Sequence, residues 1–87
     1  MVTYMPSDAP LLNARSLPRL GIAVTGLRKQ RGLTQAQLAE QAGVSRQWLN
    51  GLEKGGTAGL EVGKLLLLLE ALDASLMIRD DGAGSGA

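Results

Sequence analysis

Three polar side chains within a stretch of five residues, Arg46, Gln47 and Asn50, are of the types that bind the edges of DNA bases. Arginine can donate two hydrogen bonds to guanine O6 and N7, and glutamine or asparagine can form a matching pair with adenine N6 and N7. Residues three and four positions apart share one side of a helix, so Asn50 would lie beside both of the others. The spacing predicts a helix with a base-reading face; the alternative is an ordinary solvated polar face.

Two short helices with a tight turn between them are predicted to position this face. Thr34 and Gln37 have the spacing of a capping box, which begins the first helix, and Gly43 can take the left-handed conformation that ends it. Ser45 is a strong N-cap for the second helix. Apolar residues on the opposite side of the second helix would anchor it to a core: Val44, Leu49 and Leu52. Because the turn, the caps and the base-reading types coincide, we interpret this segment as a helix-turn-helix whose second helix enters the major groove.

The composition indicates a small domain without the usual groups for enzyme chemistry. With 87 residues the chain forms one domain, whose small core a second subunit would help to stabilise. The sequence contains no Cys and no His, so thiolate chemistry, the commonest general base and the commonest metal ligand are all missing. We therefore predict no enzymatic activity, no metal and no cofactor. No signal peptide or membrane-spanning run is recognisable, which predicts a soluble, cytoplasmic protein that does not bind membranes.

The charges are distributed unevenly although the net charge is only +1. Residues 15–54 contain seven basic and two acidic residues, a net charge of +5, whereas the remainder contains two basic and six acidic residues, a net charge of −4. A basic half suits contact with phosphates, and an acidic half suits a different partner. Lys54, at the start of a glycine-rich loop, is placed to meet the DNA backbone.

The chain divides into a flexible N-terminal arm (1–14), a DNA-binding and dimerisation domain (15–80) and a flexible tail (81–87). The domain is predicted to begin with a helix over residues 17–31. Gly21 and Gly26 lie in this helix and weaken it by about 1 kcal/mol each relative to Ala. They either permit the close approach of another helix or mark a soft helix.

Two features near the C-terminus predict a homodimer. A fourth helix over about 60–72 contains five consecutive leucines, 65–69, and is apolar nearly all round, so a small domain cannot bury it alone. Core positions are assigned to Leu65, Leu66, Leu69 and Leu72. Residues 75–79 alternate as a strand does, and no other strand is predicted to pair with them, so we expect pairing across a two-fold axis. The dimerisation residues predicted are Leu67, Leu68, Leu76, Met77 and Ile78.

Residues 16–80 resemble the Xre/Cro family of helix-turn-helix regulators, and within it HipB-type antitoxins, the DNA-binding partners of HipA-type kinase toxins. The residues that carry the resemblance are LRKQRGLTQAQLAEQAGVSRQWLNGLEKG (27–55), the leucine-rich helix and ASLMIRD (74–80). The resemblance implies an all-α, lambda-repressor-like domain of four to five helices, with a short C-terminal β-strand that pairs across a homodimer. It implies that Gln35 binds a phosphate or braces the recognition helix. The alternative is that Gln35 occupies the first helical position without a role in binding. It also implies a partly buried ion pair between Arg28 and Glu53.

The expected partners are double-stranded DNA with an inverted-repeat operator, a second copy of the chain and a HipA-like kinase toxin. The candidate DNA-binding residues are Gln35, Ser45, Arg46, Gln47, Asn50 and Lys54. The expected function is that of a transcriptional repressor, the antitoxin of a type II toxin–antitoxin pair, which neutralises the toxin and represses their shared operon. Two alternatives remain at this point: a stand-alone Xre-family repressor without a toxin, and a protein-interaction module that has lost DNA binding.

Overall fold

The computed structural model describes residues 10–56 and 59–82, and within these residues the chain forms four α-helices. The helices are α1 (Leu17–Gln30), α2 (Gln35–Ala42), α3 (Arg46–Glu53) and α4 (Val62–Ala71). The arm predicted over residues 1–14 lies outside the described residues as far as residue 9, and the tail does so from residue 83 onward. None of the helices in the described residues is long and apolar enough to cross a bilayer.

The local sequence determines where α1, α2 and α3 begin. Ser16 caps α1 by accepting a hydrogen bond from the backbone N–H of Arg19 at 3.3 Å. The predicted capping box of α2 is formed, because Thr34 Oγ1 accepts from the Gln37 N–H at 3.1 Å while Gln37 Oε1 accepts from the Thr34 N–H at 2.9 Å. Ser45 caps α3 through the backbone N–H of Trp48 at 3.0 Å. These caps satisfy backbone donors that a helix N-terminus otherwise leaves without partners.

The turn between α2 and α3 depends on Gly43. This residue has φ of +73°, in the left-handed region that costs a residue with a Cβ about 1–2 kcal/mol. The N–H of Val44 then returns to the carbonyl of Ala39 at 3.0 Å, which satisfies one of the last acceptors of α2. The chain therefore reverses within two residues, and α3 starts immediately at its cap.

The four helices share one core made mainly of leucine. Helix α1 packs against α3, and α2 packs against both α3 and α4. The largest side chains that are fully buried are Val24, Leu38, Leu49, Leu52, Leu68 and Leu72. Burial of such side chains contributes about 1.5–3 kcal/mol each, which offsets the low helix propensity of the short segments.

The prediction for the leucine run of α4 is wrong at two positions. Leu68 was expected to face a second subunit but is 0% exposed, whereas Leu66, expected in the core, is 47% exposed. The core stripe is the set Leu65, Leu68, Leu69 and Leu72, which has the i, i+3, i+4, i+7 spacing of one helix face. Leu68 is therefore not a surface residue for dimerisation. Leu67 remains available, because 51% of it is exposed.

Gly21 and Gly26 differ in what surrounds them. A Cβ on Gly21 would lie 2.5 Å from the carbonyl oxygen of Leu52 and 2.6 Å from that of Glu53, so this glycine lets α1 approach the end of α3. A Cβ on Gly26 would meet no atom within 4 Å. Of the two interpretations of these glycines, close helix approach applies to Gly21.

The segment after α4 extends without helix or strand over residues 74–80 of the described chain. No backbone–backbone hydrogen bond joins residues 75–79 to the rest of the described chain. Three apolar side chains of the segment are exposed: Leu76 by 46%, Met77 by 51% and Ile78 by 94%. The pairing of this segment as a strand across a dimer stays a prediction.

Candidate nucleic-acid interface

Helix α3 has one buried side and one exposed side. Leu49 and Leu52 are 0% and 1% exposed and hold the helix against the core. Arg46 and Gln47, in the first turn, are both exposed, as is the capping residue Ser45. The packing of the leucines therefore leaves the N-terminal end of the helix facing solvent, with Arg46 and Gln47 exposed on it. That end of the helix also attracts anions, because its N–H groups carry a partial positive charge.

Asn50 lies beside α2 rather than in open solvent. It is half-buried, and Gln35 Nε2 lies 3.4 Å from its Oδ1. Gln35 Nε2 also donates to Glu53 Oε1 at 3.1 Å. Gln35 thus joins the start of α2 to the middle and end of α3. This contact matches the bracing that the resemblance implied, and the contact of Gln35 with a phosphate stays a prediction.

The ion pair between Arg28 and Glu53 is present and nearly buried. Arg28 Nε donates to Glu53 Oε2 at 2.8 Å and Arg28 Nη2 donates to Glu53 Oε1 at 3.0 Å, so the contact is bidentate. The side chains are 12% and 5% exposed. Arg28 Nη1 also donates to the carbonyl of Leu33 at 2.8 Å, which connects α1 to the residue preceding the α2 cap. The pair therefore connects α1, α2 and α3 at one point.

Thr25 is a member of this cluster that the sequence analysis did not find. Its Oγ1 lies 3.0 Å from Glu53 Oε1 and 2.8 Å from the carbonyl oxygen of Gly21. The available signal was its position one turn before Arg28 on α1, which places both side chains on one face. A hydroxyl has a single proton, so Gly21 and Glu53 compete for or share the proton of Thr25.

The pKa of Glu53 is lowered below its usual value of 4.5. Burial acts in the opposite direction and is the largest influence, but hydrogen bonds from Arg28, Gln35 and Thr25, together with the charge of Arg28, outweigh it. The same hydrogen bond raises the pKa of Arg28 against the smaller effect of burial. Glu53 is therefore a carboxylate throughout the neutral range, and both of its oxygens act as acceptors.

Lys54 and Gly55 follow α3, and Trp48 lies within it. Lys54 is the C-cap of the helix and is exposed. Trp48 is half-buried against the core, with Lys64 Nζ 5.8 Å from the centre of its ring. Gly55 follows with φ of +72°, and a Cβ there would lie 2.6 Å from Pro18 Cα, so the loop passes directly over the start of α1. Within residues 10–56 and 59–82, no group of three acidic side chains is placed to hold a metal ion.

The structure thus separates the predicted site residues into two groups. Gln35 and Asn50 lie together with the ion pair, whereas Ser45, Arg46, Gln47 and Lys54 are exposed around the helix.

Comparison with known proteins gives a match to one family and to several structures. A profile of the helix-turn-helix family HTH_3 matches residues 27–77, and no curated protein matches the chain significantly. The chain is similar to the restriction-modification controller protein C.AhdI from Aeromonas hydrophila, with 32% identity over 68% of this chain and 84% of that chain and a TM-score of 0.64. It is similar to the biofilm master regulator SinR in complex with DNA, with 28% identity over 64% of this chain and 89% of that chain and a TM-score of 0.61.

A third similar structure is that of a HipB variant in its O2 20mer complex. The identity is 24% over 83% of this chain and 99% of that chain, with a TM-score of 0.72, so the likeness is one of fold. These findings confirm the resemblance to Xre/Cro-family regulators. Because the family profile covers more than half of its residues, the chain belongs to the HTH_3 helix-turn-helix family and has the fold of a DNA-binding transcriptional regulator.

Proposed function

We propose that the protein is a sequence-specific repressor that binds an inverted-repeat operator as a homodimer. The observation that carries this proposal is the exposed first turn of α3, where Arg46 and Gln47 project from a helix whose other side is fully packed. A rigid helix holds its side chains in a constant geometry, which sequence-specific contacts with base edges require. The comparison with SinR, solved in complex with DNA, supports the same use of the fold.

The proposal of a dimer rests on the C-terminal segment. Residues 75–79 have backbone groups without a backbone partner in the described chain, and Met77 and Ile78 expose apolar surface beside them. A second copy can satisfy both at once through a two-stranded pairing across a two-fold axis. Two recognition helices would then enter major grooves about 34 Å apart, which matches one turn of DNA. The proposed contacts with the partner are made by Leu67, Leu76, Met77 and Ile78.

DNA binding is tested with fluorescently labelled DNA from upstream of the gene and a scrambled control. We expect Arg46→Ala to cost about 1–3 kcal/mol of binding and to relax the choice of base at one position. By contrast, Lys54→Ala should weaken binding to all sequences alike. It should also reduce the slope of log affinity against log salt concentration by about one. If the wild-type chain binds with no salt dependence and no preference over scrambled DNA, the protein is an interaction module instead.

The dimer is tested by deletion of residues 76–79. We expect the shortened chain to sediment as a monomer and to bind the operator much more weakly, because two half-sites are no longer engaged together. The helical content should be unchanged, since the core residues come from the four helices. A shortened chain that still sediments as a dimer would remove the C-terminal segment from the interface.

We further propose that this repressor is an antitoxin that neutralises a HipA-like kinase toxin and represses their shared operon. The support is the sequence resemblance to HipB-type antitoxins, the fold likeness to 99% of the HipB chain, and the acidic surplus outside residues 15–54. The similarity to the controller C.AhdI, at 32% identity, favours the second candidate, a stand-alone regulator without a toxin. Co-purification of a kinase encoded beside the gene, and relief of its toxicity by this chain, would decide for the antitoxin.

A further inference from the structure

The hydrogen bonds that join α1, α2 and α3 have a fixed polarity. Arg28 and Gln35 both donate to the carboxylate of Glu53, and Gln35 also donates to Asn50. A guanidinium can only donate hydrogen bonds, and a carboxylate can only accept them. The first link therefore has one possible polarity, and this polarity restricts every amide that follows.

Gln35 is the first amide that the carboxylate orients. Its terminal group lies 3.1 Å from Glu53 Oε1, a distance at which an amide oxygen would repel the carboxylate oxygen. The nitrogen must therefore face Glu53. An amide nitrogen carries two protons, so the second proton of Gln35 Nε2 is available to Asn50 Oδ1 at 3.4 Å.

Asn50 is the second amide that is oriented, because it faces the nitrogen of Gln35. If its own amide were turned round, two N–H groups would be opposed at this distance without an acceptor between them. The favoured orientation directs Oδ1 toward Gln35 and leaves Nδ2 on the side away from it. Asn50 therefore has donors to offer to an incoming ligand, while its Oδ1 is directed toward Gln35 and uses one lone pair there.

We propose that the Arg28–Glu53 ion pair acts through Gln35 to make Asn50 a hydrogen-bond donor toward DNA. Asn50 then binds an acceptor, which is a phosphate oxygen, the N7 of a purine, guanine O6 or thymine O4. It does not form the paired contact with adenine that asparagine makes when both of its amide atoms are free. Gln35 is a positioning residue for this contact. The inference rests on the proposed binding to DNA and specifies which DNA groups one residue of that site accepts.

The first test uses the free protein, so its outcome does not depend on any operator. Exchange of the side-chain amide protons with solvent is measured by NMR on ¹⁵N-labelled protein. We expect the protons of Gln35 to exchange about three- to tenfold more slowly than those of Asn50, since the former are hydrogen-bonded within the protein. Protons of Asn50 that exchange as slowly as those of Gln35 would show that Nδ2 is hydrogen-bonded within the protein and not open to a ligand, which would overturn the proposal.

The second test identifies the acceptor on DNA. Single DNA modifications are introduced one at a time, and binding by the wild type and by Asn50→Ala is compared. The DNA group that Asn50 contacts is the one whose modification weakens binding by the wild type but not by Asn50→Ala. If methylphosphonate at one phosphate weakens the wild type but not this variant, the acceptor is a phosphate oxygen. If a 7-deazapurine or a substituted thymine has that effect, the acceptor is a base. A preference for adenine over guanine that Asn50→Ala abolishes would contradict the proposal, because that preference requires both amide atoms of Asn50.

The role of Gln35 is tested with Gln35→Met, and Gln41→Met is the matched control, an exposed glutamine on the same helix. Methionine has a similar length but no amide, so Asn50 is free to turn. For a base contact, we expect Gln35→Met to gain affinity for adenine at the Asn50 position, because both amide atoms of Asn50 can then pair with it. For a phosphate contact, we expect about a three- to tenfold loss of affinity for all sequences. In both cases the base preference at the position read by Arg46 should be unchanged in Gln35→Met. Gln41→Met should have the affinity and the base preferences of the wild type. If Gln35→Met binds as the wild type does, Gln35 does not position Asn50.

These outcomes separate the inference from the function on which it rests. A wild-type chain that binds no DNA specifically refutes the proposed function, whereas the amide exchange still reports the orientation of Asn50. Unfolding midpoints measured for every variant ensure that each comparison is made between folded proteins.

Discussion

Replacing Gly21 with alanine tests how closely α1 must approach α3. The added Cβ would lie 2.5 Å from the carbonyl oxygen of Leu52, about 0.9 Å short of the 3.4 Å at which ordinary contact begins. The Glu53 carbonyl lies on the same side at 2.6 Å. Both obstacles are backbone atoms, so no side chain can rotate away and the helices must separate. Overpacking of this kind costs about 1–3 kcal/mol, and we expect the upper part of that range.

Gly26→Ala is the matched control for this prediction. Both substitutions gain the same helix propensity, up to about 1 kcal/mol, but a Cβ at Gly26 meets nothing within 4 Å. The difference in free energy of unfolding between the two variants therefore isolates the cost of the close approach. We expect Gly26→Ala to be more stable than the wild type and Gly21→Ala to be less stable by about 1–2 kcal/mol net.

The two variants are compared by urea denaturation followed by circular dichroism at one protein concentration. For a domain of this size, a loss of 1 kcal/mol lowers the melting temperature by about 4–8 °C, which a thermal scan resolves easily. Equal stability of Gly21→Ala and Gly26→Ala would refute the reasoning, because it would mean that the helices separate without cost.

Further predictions concern the core, the ion pair and the cap. Leu68→Ala should lower the free energy of unfolding by about 2–5 kcal/mol, whereas Leu66→Ala should change it little, as measured by chemical denaturation. Because folding lowers the pKa of Glu53, its carboxylate stabilises the folded state at pH values above the usual pKa of 4.5, and this contribution should be lost as the pH falls below 4.5. Measured over a pH series, the free energy of unfolding should therefore fall less on acidification in Glu53→Gln than in the wild type. Arg28→Met leaves a nearly buried carboxylate with fewer donors and should cost about 3 kcal/mol, the lower end of the usual range, because Gln35 still donates to it. Thr34→Ala should cost about 1 kcal/mol through loss of the N-cap, readable as a lower melting temperature.

The helix-turn-helix was predictable because its signals are short-range. A cap, a capping box or a left-handed glycine involves residues within three or four positions of one another. The roles of Thr34, Gly43 and Ser45 can therefore be predicted from the neighbouring sequence. The two faces of α3 are equally local, since leucines and polar residues alternate with the helical period. The charge surplus of the first part of the chain needs no structure at all to be counted.

The wrong predictions concern a segment in which the order of apolar and polar residues has no helical period. Five consecutive leucines give the same signal at every rotation of α4, so Leu66 and Leu68 could be distinguished only by packing against the neighbouring helices. Gly21 and Gly26 are likewise equivalent in the sequence, and Thr25 reaches Glu53 across 28 positions of the chain.

The sequence alone thus determined the family, the caps of α2 and α3 and the residue types exposed on α3, because each depends on neighbours along the chain. Tertiary structure decided which leucines form the core, which glycine carries a helix contact and how the amides of Gln35 and Asn50 are oriented. Those properties depend on atoms that folding brings together from separate helices, and only their three-dimensional arrangement assigns each donor an acceptor.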